Sequence, residues 1–155
     1  LGPATTVLPL LNLGNQAGWE LTFIFRINQT TATRFRIGLV SGDAAAEPTY
    51  GIWLRYDTST GFADTNFIFE CRAASTSTTV SSGVAADTSF HKLRIRSTTA
   101  GTILFSLDGG TEQSISTNVP TTQYLTAGID LVTFEAASKT ADADLFAFKL
   151  TGLSR

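Results

Sequence analysis

The chain has 155 residues, a formal net charge of −2 and 15% charged residues. That length allows one domain that buries about two-thirds of the surface its unfolded chain would expose. A pI of about 5.3 with no basic stripe excludes nucleic acid as an expected partner, and no apolar run reaches the length of a membrane span. Phe is abundant, and Thr, Ser and Ala fill the place of charge, a mix that suits half-buried pleated strands better than amphipathic helices. No signal peptide is visible, and the opening Leu1 leads us to expect a trimmed or processed chain.

Residues 1–18 are punctuated by Pro3, Pro9, Gly14 and Gly18, while Val7 to Leu13 is apolar enough to dock as an edge strand or against a partner chain. We read 1–17 as an arm or linker and 18–155 as the domain. Residues 19–27 form the cleanest strand pattern: Trp19, Leu21, Phe23, Phe25 and Ile27 share one face, and Glu20, Thr22, Ile24 and Arg26 the other. Phe35, Ile37 and Leu39 then alternate with Arg34, Arg36 and Gly38. After a loop at 41–48, Tyr50, Ile52, Leu54 and Tyr56 alternate with Gly51, Trp53 and Arg55. A second loop, 57–64, leads to a strand over 66–72 with Phe67, Phe69 and Cys71 facing inward. Cys71 is the single cysteine, so it forms no internal disulfide and reads as a small buried apolar residue.

Residues 73–84 are rich in Ser and Thr and nearly uncharged. They read as a weak strand on an exposed edge plus a turn at Ser82-Gly83. In 90–110, His91, Leu93 and Ile95 alternate with Lys92, Arg94 and Arg96. Ile103, Phe105 and Leu107 follow after a Thr-Thr-Ala-Gly break, and Asp108-Gly109-Gly110 closes with residues that tolerate positive φ. Ile115 points inward from a short polar stretch, 124–133 reads as a strand, and 144–150 ends the domain with Phe146, Phe148 and Leu150 on one face. The result is roughly nine to eleven short alternating strands and no convincing helical period, the pattern of an antiparallel sandwich or barrel.

Several segments in this order resemble the concanavalin A-like, laminin-G-like jelly-roll superfamily. They are the Trp-initiated strand 19–27, Arg36-Ile37-Gly38-Leu39, Tyr50-Gly51-Ile52-Trp53, Phe90-His91-Lys92-Leu93-Arg94-Ile95, the Ile103 to Gly109 strand ending in Asp-Gly, the Asn118-Val119-Pro120 turn, and the closing Asp142 to Leu150 strand. The likeness spans about residues 18–152. Its Thr/Ala/Ser-rich, disulfide-free flavour resembles copies in bacteriophage virion proteins, such as tail fibres and head decoration proteins. The resemblance implies an all-β antiparallel jelly-roll sandwich at a virion surface, a homotrimer, contact with other virion proteins, and binding of cell-surface glycans.

The chemistry points the same way. A single histidine rules out a multi-histidine zinc site, and there is no Gly-x-Ser-x-Gly elbow. Glycanases need a carboxyl pair across a cleft, and Asp142-Ala143-Asp144 is the nearest thing present. Asp57, Asp64 and Asn66 flank one loop and Asp43 and Glu47 another, without a spaced calcium motif. We therefore expect no enzyme activity, no cofactor and no metal. Sugars stack on rings beside planar polar groups, which singles out Trp53 with Arg55 and Arg36, and Tyr56 and Phe62 on or beside the same stretch. If the Trp53 face is the solvent face, these residues form a shallow platform; the opposed reading is that the face is covered. The leading expectation is a non-enzymatic virion surface module. The alternative is a free carbohydrate-binding module or lectin, with a divergent glycanase behind both.

Overall fold

A computed structural model describes residues 12–41 and 47–150. Among these residues ten strands form two antiparallel five-stranded sheets packed face to face: a sandwich, one of the two forms the alternation allowed, with the jelly-roll fold that the resemblance implied. The strands are β1 (Trp19–Ile27), β2 (Thr33–Val40), β3 (Gly51–Asp57), β4 (Asn66–Ala73), β5 (Thr76–Ala85), β6 (His91–Thr99), β7 (Thr102–Leu107), β8 (Gln113–Ile115), β9 (Thr126–Thr133) and β10 (Ala141–Leu150). One sheet runs β10-β1-β6-β7-β8 and the other β5-β4-β3-β2-β9.

The apolar member of each alternating pair fills the space between the sheets. Phe25 stacks on Phe35 with ring centroids 5.2 Å apart, and Phe69 stacks on Phe105 at 5.0 Å, so both pairs bridge the two sheets. Cys71 lies in this core, and burial pushes its thiol pKa up. Each fully buried Phe or Leu contributes roughly 1.5–3 kcal/mol through area removed from water.

The arm up to residue 11 lies outside the described residues. From there a 3-10 turn, Leu13–Asn15, packs Leu13 into the core, and the Trp19 indole N–H donates to the Leu13 and Gln16 carbonyls at 2.8 and 3.0 Å. The turn expected at Ser82-Gly83 is instead a bulge within β5: the register jumps from Ile68↔Ser81 to Asn66↔Ala85, and Gly83 takes φ +74. The hairpin turn proper falls at Ala74 and Ser75, both at positive φ. As expected, β5 is an outer strand, but Thr78 is tied to the β8–β9 connection, which crosses from one sheet to the other. Its hydroxyl lies 2.8 Å from that of Thr117 and accepts from Asn118 Nδ2 at 2.9 Å.

Candidate functional site

The outer face of the β5-β4-β3-β2-β9 sheet carries buried Arg36, Arg55, Asp57, Glu70 and Asp130. Strand register sets them in rows. Thr79, Glu70, Trp53, Gly38 and Gly128 lie side by side across the five strands. One row along are Ser81, Ile68, Arg55, Arg36 and Asp130, and one row the other way are Ser77, Arg72, Gly51, Val40 and Thr126.

Glu70 organises the centre. One of its oxygens accepts from Trp53 Nε1 at 3.2 Å and from Arg55 Nη1 at 2.6 Å, and the other from the Ser77 hydroxyl at 2.5 Å. Arg55 also forms a two-pronged pair with Asp64, Nε at 3.0 Å and Nη2 at 3.2 Å, while Asp64 accepts the Asp57 backbone N–H. Asp64 thereby anchors the 57–64 loop. The same loop lays the Phe62 ring 4.5 Å from the Arg55 guanidinium. On the far side, Arg36 pairs with Asp130 at 3.1 Å and with Glu47. Glu47 reaches over the sheet to Arg34 and Arg72 as well, at 3.7 and 3.4 Å.

Burial pulls the Arg55 pKa down, but its hydrogen bonds to Asp64 and the charges of Glu70 and Asp64 outweigh it and leave Arg55 above its ordinary value. At Arg36 burial prevails, and its pKa is lowered. Burial also raises the Asp130 pKa despite Arg36 and Arg34. Burial therefore outweighs pairing on the Arg36–Asp130 side of the face. Among the described residues, four buried polar atoms around Glu47 make no hydrogen bond: Nε of Arg34, Arg36 and Arg72, and Oε1 of Glu47, which still lies 3.4 Å from Arg72 Nη1. Among the described residues no group of three or more His, Cys, Asp or Glu side chains is placed to hold a metal ion; Asp43 lies outside them.

Trp53, Arg55 and Arg36 thus share one face, but not as an open platform. Trp53 is 0% exposed, with the Arg36 guanidinium 5.6 Å from its ring and glycines at 38 and 51 beside it. Tyr56 points the other way, toward the core, where its hydroxyl donates to the Thr30 carbonyl at 2.7 Å. Phe62, 40% exposed, is the one of these aromatics that solvent reaches. Glu70 and Arg72 were not singled out from the sequence, although their alternation with Phe69 and Cys71 already placed them on the outer face.

No protein-family model matches the sequence, and no curated protein matches it. Solved structures do. The chain aligns with lactose- and MES-liganded congerin II at 13% identity and TM-score 0.56, covering 87% of this chain and 93% of that one. Ligand-free congerin I aligns at 11% identity and TM-score 0.55, covering 87% and 93%. CG-16, described as a homodimeric agglutinin from chicken liver, aligns at 9% identity and TM-score 0.54, covering 86% and 92%. These are galectin-type β-sandwich lectins, and the likeness is one of fold.

Proposed function

We propose that the protein binds neutral carbohydrate on the outer face of the β5-β4-β3-β2-β9 sheet, without catalysing a reaction. The observation that carries this reading is the exposed Phe62 ring, 4.5 Å from the Arg55 guanidinium, on the same face as the partly exposed charged side chains of Arg34, Arg72 and Glu47. Sugar hydroxyls, which both donate and accept, can pair with the solvent-facing atoms of these three side chains. Phe62 supplies an exposed ring above Arg55 on which sugar C–H groups can stack. Thr79 and Ser81 add exposed hydroxyls along β5. Buried Trp53 acts as the rigid backing of this face. The fold shared with a lactose-liganded lectin supports the reading.

The test is calorimetric titration with lactose and a panel of neutral glycans, repeated with Phe62→Ala and Arg72→Ala. We expect affinity roughly tenfold weaker in each variant, a loss of about 1.4 kcal/mol, with the melting temperature little changed for Phe62→Ala. Absence of binding to every glycan on the panel, or affinity indifferent to both substitutions, overturns it.

Self-association belongs to the same reading. The inner-face side chains of the outer strand β10, Phe146, Phe148 and Leu150, are 41, 37 and 51% exposed, an apolar strip of the kind a second copy covers. CG-16 is described as homodimeric. A virion-surface location and a trimer rest on the sequence resemblance, and the structural neighbours supply support only for its lectin side.

A further inference from the structure

The opposite sheet carries a feature that the proposed sugar face does not use. Lys92, Arg94 and Arg96 share the outer face of β6. Glu112 answers two of them, lying 2.5 Å from Nη2 of both Arg94 and Arg96, and Glu20 stands 3.9 Å from Arg94 Nη1. Lys92 has no carboxylate within ion-pair distance among the described residues. It is exposed, and it stands at the rim of a depression of about 240 Å³ lined also by Arg94, Ser106, Gly109 and Gly110.

The turn that builds this depression keeps its own acid occupied. Asp108 and Gly109 take φ +53 and +74, which folds the β7–β8 connection back beside β6. The Asp108 carboxylate is then spent on two groups, the Lys92 backbone N–H and the His91 Nδ1, each at 2.8 Å. Ser106, 4% exposed, lines the depression beside Arg94, its neighbour across the β6–β7 pair. Where a Cβ of Gly109 would stand there is no atom within 4 Å, so the turn side is open. An ammonium without a carboxylate partner, beside the N–H groups that Arg94 does not spend on Glu112 and a serine, around an open depression is the chemistry that holds a compact, doubly accepting anion.

We propose that this depression binds a small oxyanion, phosphate or sulfate, free or as a monoester. Lys92 supplies the charge, and Arg94 and Ser106 supply hydrogen-bond donors. The test is an amide chemical-shift titration of the full chain with inorganic phosphate, inorganic sulfate and a sulfated monosaccharide, against sodium chloride at matched ionic strength. The expected result is saturable shifts at Lys92, Ser106, Gly109 and Gly110 with the oxyanions and none with chloride. Lys92→Ala is expected to weaken affinity about tenfold, while Lys149→Ala, a lysine on β10 of the same sheet, leaves it unchanged. Tighter binding of the sulfated sugar than of sulfate assigns the site to an esterified group, and equal binding assigns it to the free ion. Shifts that fail to saturate, that chloride reproduces, or that persist unchanged in Lys92→Ala overturn the proposal. An intact melting temperature in Lys92→Ala separates loss of the site from loss of the fold.

Discussion

The Trp53 indole lies directly over Gly51: a Cβ at Gly51 would sit 1.8 Å from Cζ3 of the ring and 2.8 Å from the Leu39 carbonyl oxygen. The tryptophan is therefore flat against its own sheet because the residue two positions earlier has no side chain. Gly51→Ala should lift the ring. We expect a red shift in tryptophan emission and a loss of about 1–3 kcal/mol in denaturant unfolding, the cost of overpacking a closed site. Unchanged emission would mean that the ring rests elsewhere.

Glu70 is fully buried and bonded to Trp53, Arg55 and Ser77. Removing its charge leaves Arg55 with only Asp64 as a counter-ion, and breaking one partner of a buried pair costs roughly 3–5 kcal/mol. Glu70→Gln should fall near the lower end of that range, because the amide oxygen still accepts one bond. Chemical denaturation of the two proteins gives the difference directly.

The β4–β5 turn places two residues with side chains, Ala74 and Ser75, at φ +49 and +64. Left-handed backbone costs an L-residue roughly 1–2 kcal/mol, and Asn-Gly is the pair that takes this turn with least strain. Replacing Ala74-Ser75 by Asn-Gly should raise stability by about 1 kcal/mol, read as a higher denaturation midpoint with an unchanged slope.

Acid should weaken the outer face of the β10-β1-β6-β7-β8 sheet. Hydrogen bonds and charge from Arg96, then Arg94, hold the Glu112 carboxyl below its ordinary value of 4.5. A lowered folded-state pKa contributes stability above the unfolded value, and that contribution disappears as pH falls below about 4.5 through the folded value. The pair is partly exposed and screened by solvent, so the effect stays under about 1 kcal/mol. Glu112→Gln should flatten the acid limb of a stability-versus-pH curve by that amount, and high salt should do the same to the parent protein.

The exposed strip on β10 makes a prediction about assembly. Light scattering should find an oligomer at micromolar concentration, and Phe148→Glu should shift it toward monomer while preserving the β-sheet circular dichroism spectrum. A parent protein that is monomeric throughout would leave that strip without the proposed second copy.

The sandwich was legible in the sequence because alternation has only one physical use here: Trp19 to Ile27 or Phe67 to Cys71 can bury a face only as strands. The site was legible in part. Alternation put Trp53, Arg55 and Arg36 on one face but could not say how much of that face is covered. Coverage depends on which charges meet across strands, as Glu70 meets Arg55 and Trp53, and register is invisible until the strands are paired. The β4–β5 turn was missed for a related reason. Gly83 offers positive φ cheaply and drew the turn toward it, yet the pairing demanded the turn at Ala74 and Ser75 and used Gly83 for a bulge.

One feature of the topology bears on how the protein comes to be made. β1 is flanked by β6 and β10, and Arg26 bonds to Asp142, a partner 116 residues further along the chain. While the polypeptide is being synthesised, Phe23 and Phe25 leave the ribosome long before either neighbouring strand exists. Folding dominated by such distant pairings is slow, and in that interval an apolar strand with two bare edges is open to wrong pairing. Maturation should therefore be sensitive to chaperones and to expression temperature. A nascent chain arrested before β10 should remain protease-sensitive even though most of its sequence has already been translated.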